Sequence, residues 1–185
     1  MKKILLASAL AIAAIAVYAF MVPNANAAAT TTATANDEIT WLSWDEAIQQ
    51  ADKKPKKIFV DLYTDWCGWC KKMDATTFKD PAVVQYINAH FYAVKFDAEQ
   101  KEAVQYRDHT FQFINAGRRG VHELAYSLLD GRLGYPSYVY LDENQDRITI
   151  SPGFKTADNF IKELQWIGGG HYQQQTLDDF IKKAK

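Results

Sequence analysis

The chain has 185 residues, of which 48% are hydrophobic, 14% aromatic and 23% charged, enough apolar material to bury one core without help from disulfides or metal. A net charge of −1 implies no basic face and excludes nucleic acid as an expected partner. The chain has two cysteines, Cys67 and Cys70, separated by two residues.

Residues 1–27 have the form of an export signal: Lys2 and Lys3, an apolar run from Ile4 to Val22, then Ala25-Asn26-Ala27 as a small-x-small cleavage site. The expectation is cleavage after Ala27. The competing reading is an uncleaved anchor, because the run is about long enough to span a bilayer. Cleavage would remove two lysines and no acid, moving the net charge from −1 to −3. Residues 28–38, small and polar, read as a linker, which leaves 39–185 as the domain. Ser43-Trp44-Asp45-Glu46 has the capping-box pattern and predicts a helix to about Lys53, ended by Pro55. Residues 56–64, KKIFVDLYT, predict a buried central strand carrying Asp61.

The cysteines follow that strand directly, and CKKMD after them predicts the opening of a helix. Asp80-Pro81 marks the next helix start, and FYAVKFD (91–97) the next strand. Residues 99–130 read as mostly helical, broken between Gly117 and Gly120 and stopped at Gly131. YPSYVYLDENQDRITI predicts a hairpin, with Pro136 just before its first strand. Residues 156–167 predict an amphipathic helix, GGG (168–170) breaks it, and a short helix capped by Thr176 ends the chain. The order βαβ followed by ββα implies a central mixed sheet with helices on both faces.

Three readings compete for Cys67-Gly68-Trp69-Cys70. A disulfide closing so short a loop constrains the unfolded chain little, which makes a structural staple a poor explanation. A zinc site needs a second ligand pair; His90, His109, His122 and His171 are scattered, with no two at ligand spacing, so no metal and no cofactor are expected. The third reading is a working dithiol. At a helix N-terminus, unpaired N–H groups and the helix dipole favour a thiolate. Cys67 is then the expected nucleophile, exposed, and Cys70 the sulfur that resolves a mixed disulfide.

FVDLYTDWCGWCKKM resembles the active-site segment of the thioredoxin family. The resemblance implies a thioredoxin-like fold over most of 40–185, with a buried Asp61 moving protons for the deeper sulfur. It matches Lys95 to the lysine that pairs with that Asp, and Pro136 to a cis-proline beside the dithiol. Tyr135 would offer backbone groups to a substrate strand, and Trp66, Gly68 and Trp69 would form its apolar rim. Gly153 matches a glycine late in the family's sheet. Ser137 replaces the usual Thr, and Trp69 stands where thioredoxin has Pro. CKKMDATTFKDPAVVQYI resembles the segment after the dithiol in the C-terminal periplasmic domain of DsbD, the membrane reductant conductor. The middle of the chain, about 99–133, is longer than in a minimal thioredoxin and is read as a helical insertion. Phe111, Phe113 and Ile114 within it fit either core or a partner surface.

These features imply an exported, most simply periplasmic, thiol–disulfide oxidoreductase that reduces or isomerises protein disulfides. A DsbD-type membrane electron donor would supply it. The alternatives are a disulfide-forming oxidant, a non-catalytic binding or assembly module, and delivery of metal or haem.

Overall fold

The computed structural model describes residues 37–115 and 117–183. The expected export signal and all but the last two residues of the expected linker lie outside the described residues. The first helix, α1 (Trp44–Lys53), starts where its capping box puts it. The Ser43 hydroxyl accepts the Glu46 N–H, while the Glu46 carboxylate accepts the Ser43 N–H at 2.8 Å. Such a reciprocal cap is worth about 1 kcal/mol. Trp44, Ala47 and Ala51 repeat at helical spacing and are its buried face.

A five-stranded sheet forms the centre. Its strands are β1 (Trp41–Leu42), β2 (Lys57–Tyr63), β3 (Phe91–Asp97), β8 (Ser137–Leu141) and β9 (Arg147–Pro152), in spatial order β1-β3-β2-β8-β9. The pairings β1–β3 and β3–β2 are parallel; β2–β8 and β8–β9 are antiparallel. The short α2 (Gly68–Ala75) and α3 (Pro81–His90) link β2 to β3. Asp80 caps α3 by accepting the N–H groups of Ala82 and Val83, with Pro81 next.

Period-two alternation sends each strand's side chains to two cores. Ile58, Val60 and Leu62 of β2 pack with Val94, Phe96 and Val139 under α1 and under α4 (Glu123–Leu128). Phe59 packs on the other face with Tyr138, Tyr140 and Met73, beneath α3 and α5 (Ala157–Gly168). Asp61 shares the parity of Phe59, so it points into this second, aromatic-rich core. The last helix, α6 (Leu177–Lys183), follows Thr176, whose hydroxyl accepts the Asp179 N–H.

The expected helical insertion is corrected. Residues 99–122 form β4 (Val104–Tyr106) paired with β5 (His109–Phe111), then β6 (Phe113–Ile114) paired with β7 (Val121–His122). Among the described residues of the expected insertion, 99–133, only α4 is helical. Ala103, Val104 and Tyr106 sit at helix-like spacing, but the pattern lasts barely one turn. Val, Tyr, Thr and Phe favour strands, and Arg107, at φ 53°, turns the chain back on itself. Tyr106 packs edge-on against Trp44 at 5.0 Å, which ties the first hairpin to α1. Gly120, at φ +75°, ends the second turn; a Cβ there would lie 2.6 Å from the Ile114 carbonyl and 2.2 Å from the Phe113 ring. That close approach requires glycine.

Candidate functional site: a disulfide at a helix start

Cys67 is the N-cap of α2 and is joined to Cys70 by a disulfide. Its sulfur also accepts the Cys70 N–H at 3.1 Å, so Cys67 Sγ faces the donor end of the helix. The first turn of α2 holds no acidic residue to oppose a negative sulfur there. Cys67 is not exposed as expected: it is 4% accessible and Cys70 2%. In the disulfide form the Cys67 sulfur is bonded to Cys70 and lies against the Cys70 N–H.

Asp61 lies across the sheet between Lys95 of β3 and Tyr138 of β8, its register partners on either side. Lys95 Nζ donates to Asp61 Oδ2 at 3.0 Å. Burial pushes the Asp61 carboxyl up to about 6, against the pull of Lys95. Burial pulls Lys95 down, but Asp61 and Asp74 outweigh it, and its pKa is raised overall. Asp74, one helical turn beyond Cys70, accepts a second hydrogen bond from Lys95. Sequence reasoning missed Asp74. Its spacing puts it on the same helix face as Cys70, but its link to Lys95 exists only once α2 and β3 are packed together. Asp61 Oδ1 and the Tyr138 hydroxyl are both buried with no hydrogen-bond partner among the described residues. Burial, then Asp61 and Glu163, raise Tyr138 far above the ordinary phenol range.

The Tyr135–Pro136 peptide bond is cis. Two contacts fix the loop: the Pro136 carbonyl accepts the Gly153 N–H at 2.8 Å, and the Ser137 hydroxyl donates to the Gly134 carbonyl. Gly153 itself sits at φ +89°, a conformation that favours glycine. Tyr135 packs edge-on against Trp66 at 6.1 Å. Trp66 and Trp69 are 51% and 57% exposed; Trp66 precedes Cys67 and Trp69 lies between the two cysteines in sequence. Trp69 lies against Phe154, with Lys72 Nζ 5.3 Å from both rings. A Cβ at Gly68, between the two cysteines, would meet nothing within 4 Å. By contrast Trp44 is buried, while Trp41 and Trp166 are half-buried packing residues.

The structure thus gathers Asp61 and Lys95 into one ion pair, Trp66 and Tyr135 into one aromatic wall, and the two cysteines into one bond. A disulfide at a helix N-terminus and a buried carboxyl raised to about 6 are groups that thiol–disulfide exchange can use. Among the described residues no group of His, Cys, Asp and Glu is placed to hold a metal ion. Among them, too, no helix is long and apolar enough to cross a membrane.

A mixed sheet with a Cys-x-x-Cys pair at a helix start and a cis-proline loop defines a thioredoxin-fold protein. The fold matches that of a Thermus thermophilus thioredoxin at a TM-score of 0.53, with 19% identity over 75% of this chain and 99% of that one. It also matches a DsbH oxidoreductase at 0.51, with 19% identity over 75% and 87% of the two chains. The family Thioredox_DsbH, described as "Protein of unknown function, DUF255", matches residues 25–160, and the chain belongs to it. The thiol:disulfide interchange protein DsbD of Actinobacillus pleuropneumoniae is 30% identical over 114 residues, 60% of this chain and 16% of DsbD. The chain spans only about a sixth of the length of the curated relatives it matches. It is a thioredoxin-fold, disulfide-oxidoreductase-like protein with homology of the DsbD and DsbH type.

Proposed function

We propose that this protein reduces or isomerises disulfides in other proteins. The observation that carries the reading is the Cys67–Cys70 disulfide at the start of α2, with the buried Asp61 joined through Lys95 to Asp74 of the same helix. In the reduced enzyme, the Cys67 thiolate attacks one sulfur of a substrate disulfide. A mixed disulfide forms and one substrate thiolate leaves. The Cys70 thiol gives its proton to Asp61, and its sulfur attacks Cys67 Sγ. The Cys67–Cys70 bond forms and the second substrate thiolate leaves. Two electrons pass from the dithiol to the substrate, and the two leaving thiolates take up protons.

Lys95 keeps Asp61 from being neutral throughout, and so holds it near the pH at which it can both take and return a proton. Trp66, Gly68 and Trp69 receive the substrate segment, and Tyr135 and Pro136 align it. The regeneration step needs a dithiol donor. DsbD-type homology supports a membrane reductant conductor in that role and protein thiols as the clients. The signal-like character of residues 1–27 supports work outside the cytoplasm, where disulfide substrates persist.

The test is reduction of insulin disulfides with dithiothreitol as donor. The wild-type protein should speed precipitation of the insulin B chain, and Cys67→Ser should run at the uncatalysed rate. Full activity in Cys67→Ser would overturn the assignment.

A further inference from the structure

The insertion reaches Trp66, the residue before Cys67, through one turn. Between β6 and β7 the chain carries Gly117, Arg118, Arg119 and Gly120, and these last three residues line a cleft of about 340 Å³ with Trp66, Glu99, Leu133, Gly134 and Tyr135. Trp66 precedes Cys67 in the chain and Tyr135 precedes the cis-proline, so two lining residues are chain neighbours of the site, although neither cysteine lines the cleft. The Arg119 guanidinium lies 5.1 Å from the Trp66 ring centroid. Gly120 cannot carry a side chain without striking Phe113 and the Ile114 carbonyl, so the turn that presents both arginines is tightly set. Both arginines are exposed, and neither pairs with a carboxylate among the described residues. The cleft's own carboxylate, Glu99, is held by the Trp66 indole N–H at 2.9 Å. Asp97 in turn accepts the Glu99 N–H. The rim therefore offers two unpaired guanidiniums and the exposed apolar surface of Trp66 and Leu133.

We propose that Arg118 and Arg119 select substrate segments that carry an acidic side chain next to the reacting cysteine. The occupant is an extended stretch of a client protein. Its cysteine meets Cys67, its apolar atoms lie on Trp66 and Leu133, and its carboxylate pairs with the arginine rim. A planar guanidinium suits this, because it can bind a carboxylate through two parallel hydrogen bonds while stacking on an indole. The insertion is then a specificity element on a chemistry that the sheet and α2 already provide. The inference rests on the oxidoreductase reading above.

The experiment uses the reduced, full-length protein and two synthetic peptide disulfides that differ only in having Glu or Lys beside the cysteine. A third probe, uncharged 2-hydroxyethyl disulfide, reads the dithiol alone. The wild-type protein should reduce the Glu peptide with a kcat/KM about fivefold above that for the Lys peptide at low salt. The gap should shrink at high salt, where exposed charges are screened. The double variant R118E/R119E should reverse the preference and keep the wild-type rate on 2-hydroxyethyl disulfide. Equal rates on both peptides, or a preference that charge reversal leaves in place, would overturn the inference and leave the oxidoreductase intact. A dithiol inert to 2-hydroxyethyl disulfide would overturn the oxidoreductase reading and this one with it.

Discussion

Cys70→Ser is expected to trap substrate on the protein. If Cys67 attacks and Cys70 resolves, removing the second sulfur stops the reaction at the mixed disulfide. Turnover should fall about 100-fold or more, because release then depends on an outside thiol. A covalent adduct with a disulfide-containing client should build up and disappear on treatment with dithiothreitol, as seen on a non-reducing gel. Cys67→Ser should form no adduct. The asymmetry follows from position. Cys67 caps α2 and its sulfur accepts the Cys70 N–H, whereas Cys70 lies within the first turn of the helix; in the disulfide form both are buried, so the asymmetry is one of position and not of exposure. Equal trapping by both variants would show that the two sulfurs are interchangeable and would remove the roles assigned to them.

Asp61→Asn is expected to make the protein more stable and less active, both with a defined pH dependence. In the folded protein Asp61 titrates at about 6; in the unfolded chain it returns to about 3.9. Between those values the folded state binds more protons than the unfolded state, so stability falls as pH rises through that window. Above it the penalty is complete, on the order of 3 kcal/mol. Asn removes the buried charge, and Lys95 keeps Asp74 as a partner. Asp61→Asn should therefore gain about 2 kcal/mol over wild type at pH 7.5 and nothing below pH 4, read from urea midpoints at each pH. The rate of disulfide exchange near pH 7 should drop by about 100-fold if Asp61 carries the proton. The wild-type inflection near pH 6 should vanish from the rate profile. A variant that is no more stable at pH 7.5 than at pH 4, relative to wild type, would show that Asp61 is not held in a costly charged form.

The parts of the fold that could be read from the sequence are those with local signals. Ser43 and Glu46 start α1, Asp80-Pro81 starts α3, and the apolar runs 57–63 and 91–97 form the central strands. Pro136 stands out because it immediately precedes a strand, and its loop lies next to Trp66. The insertion was not legible in this way. Strands of two or three residues carry too little periodicity, and β4–β7 are held by contacts with distant parts of the chain: Tyr106 on Trp44, and the Glu102 carbonyl on the buried His122 ring. The two-residue β1 is missed for the same reason.

At the site, residue types marked Cys67, Cys70 and Asp61, but what surrounds them is tertiary. Lys95 reaches Asp61 because β3 pairs in parallel with β2 in one register, and a slip by one residue would turn it to the other face. Asp74 reaches Lys95 from α2, and Arg119 reaches the Trp66 ring from a loop outside the dithiol machinery; sequence spacing carries no information about which side chain either meets.

The reduction potential of the Cys67/Cys70 pair tests the central claim most directly. It is measured on the purified protein equilibrated against dithiothreitol or glutathione buffers. The account predicts a reversible two-electron couple near that of thioredoxin, about −270 mV, so that the reduced dithiol can pass electrons to client disulfides. A potential near about −120 mV would make the protein a disulfide donor and contradict the reducing direction. A pair that never exchanges would contradict thiol chemistry altogether.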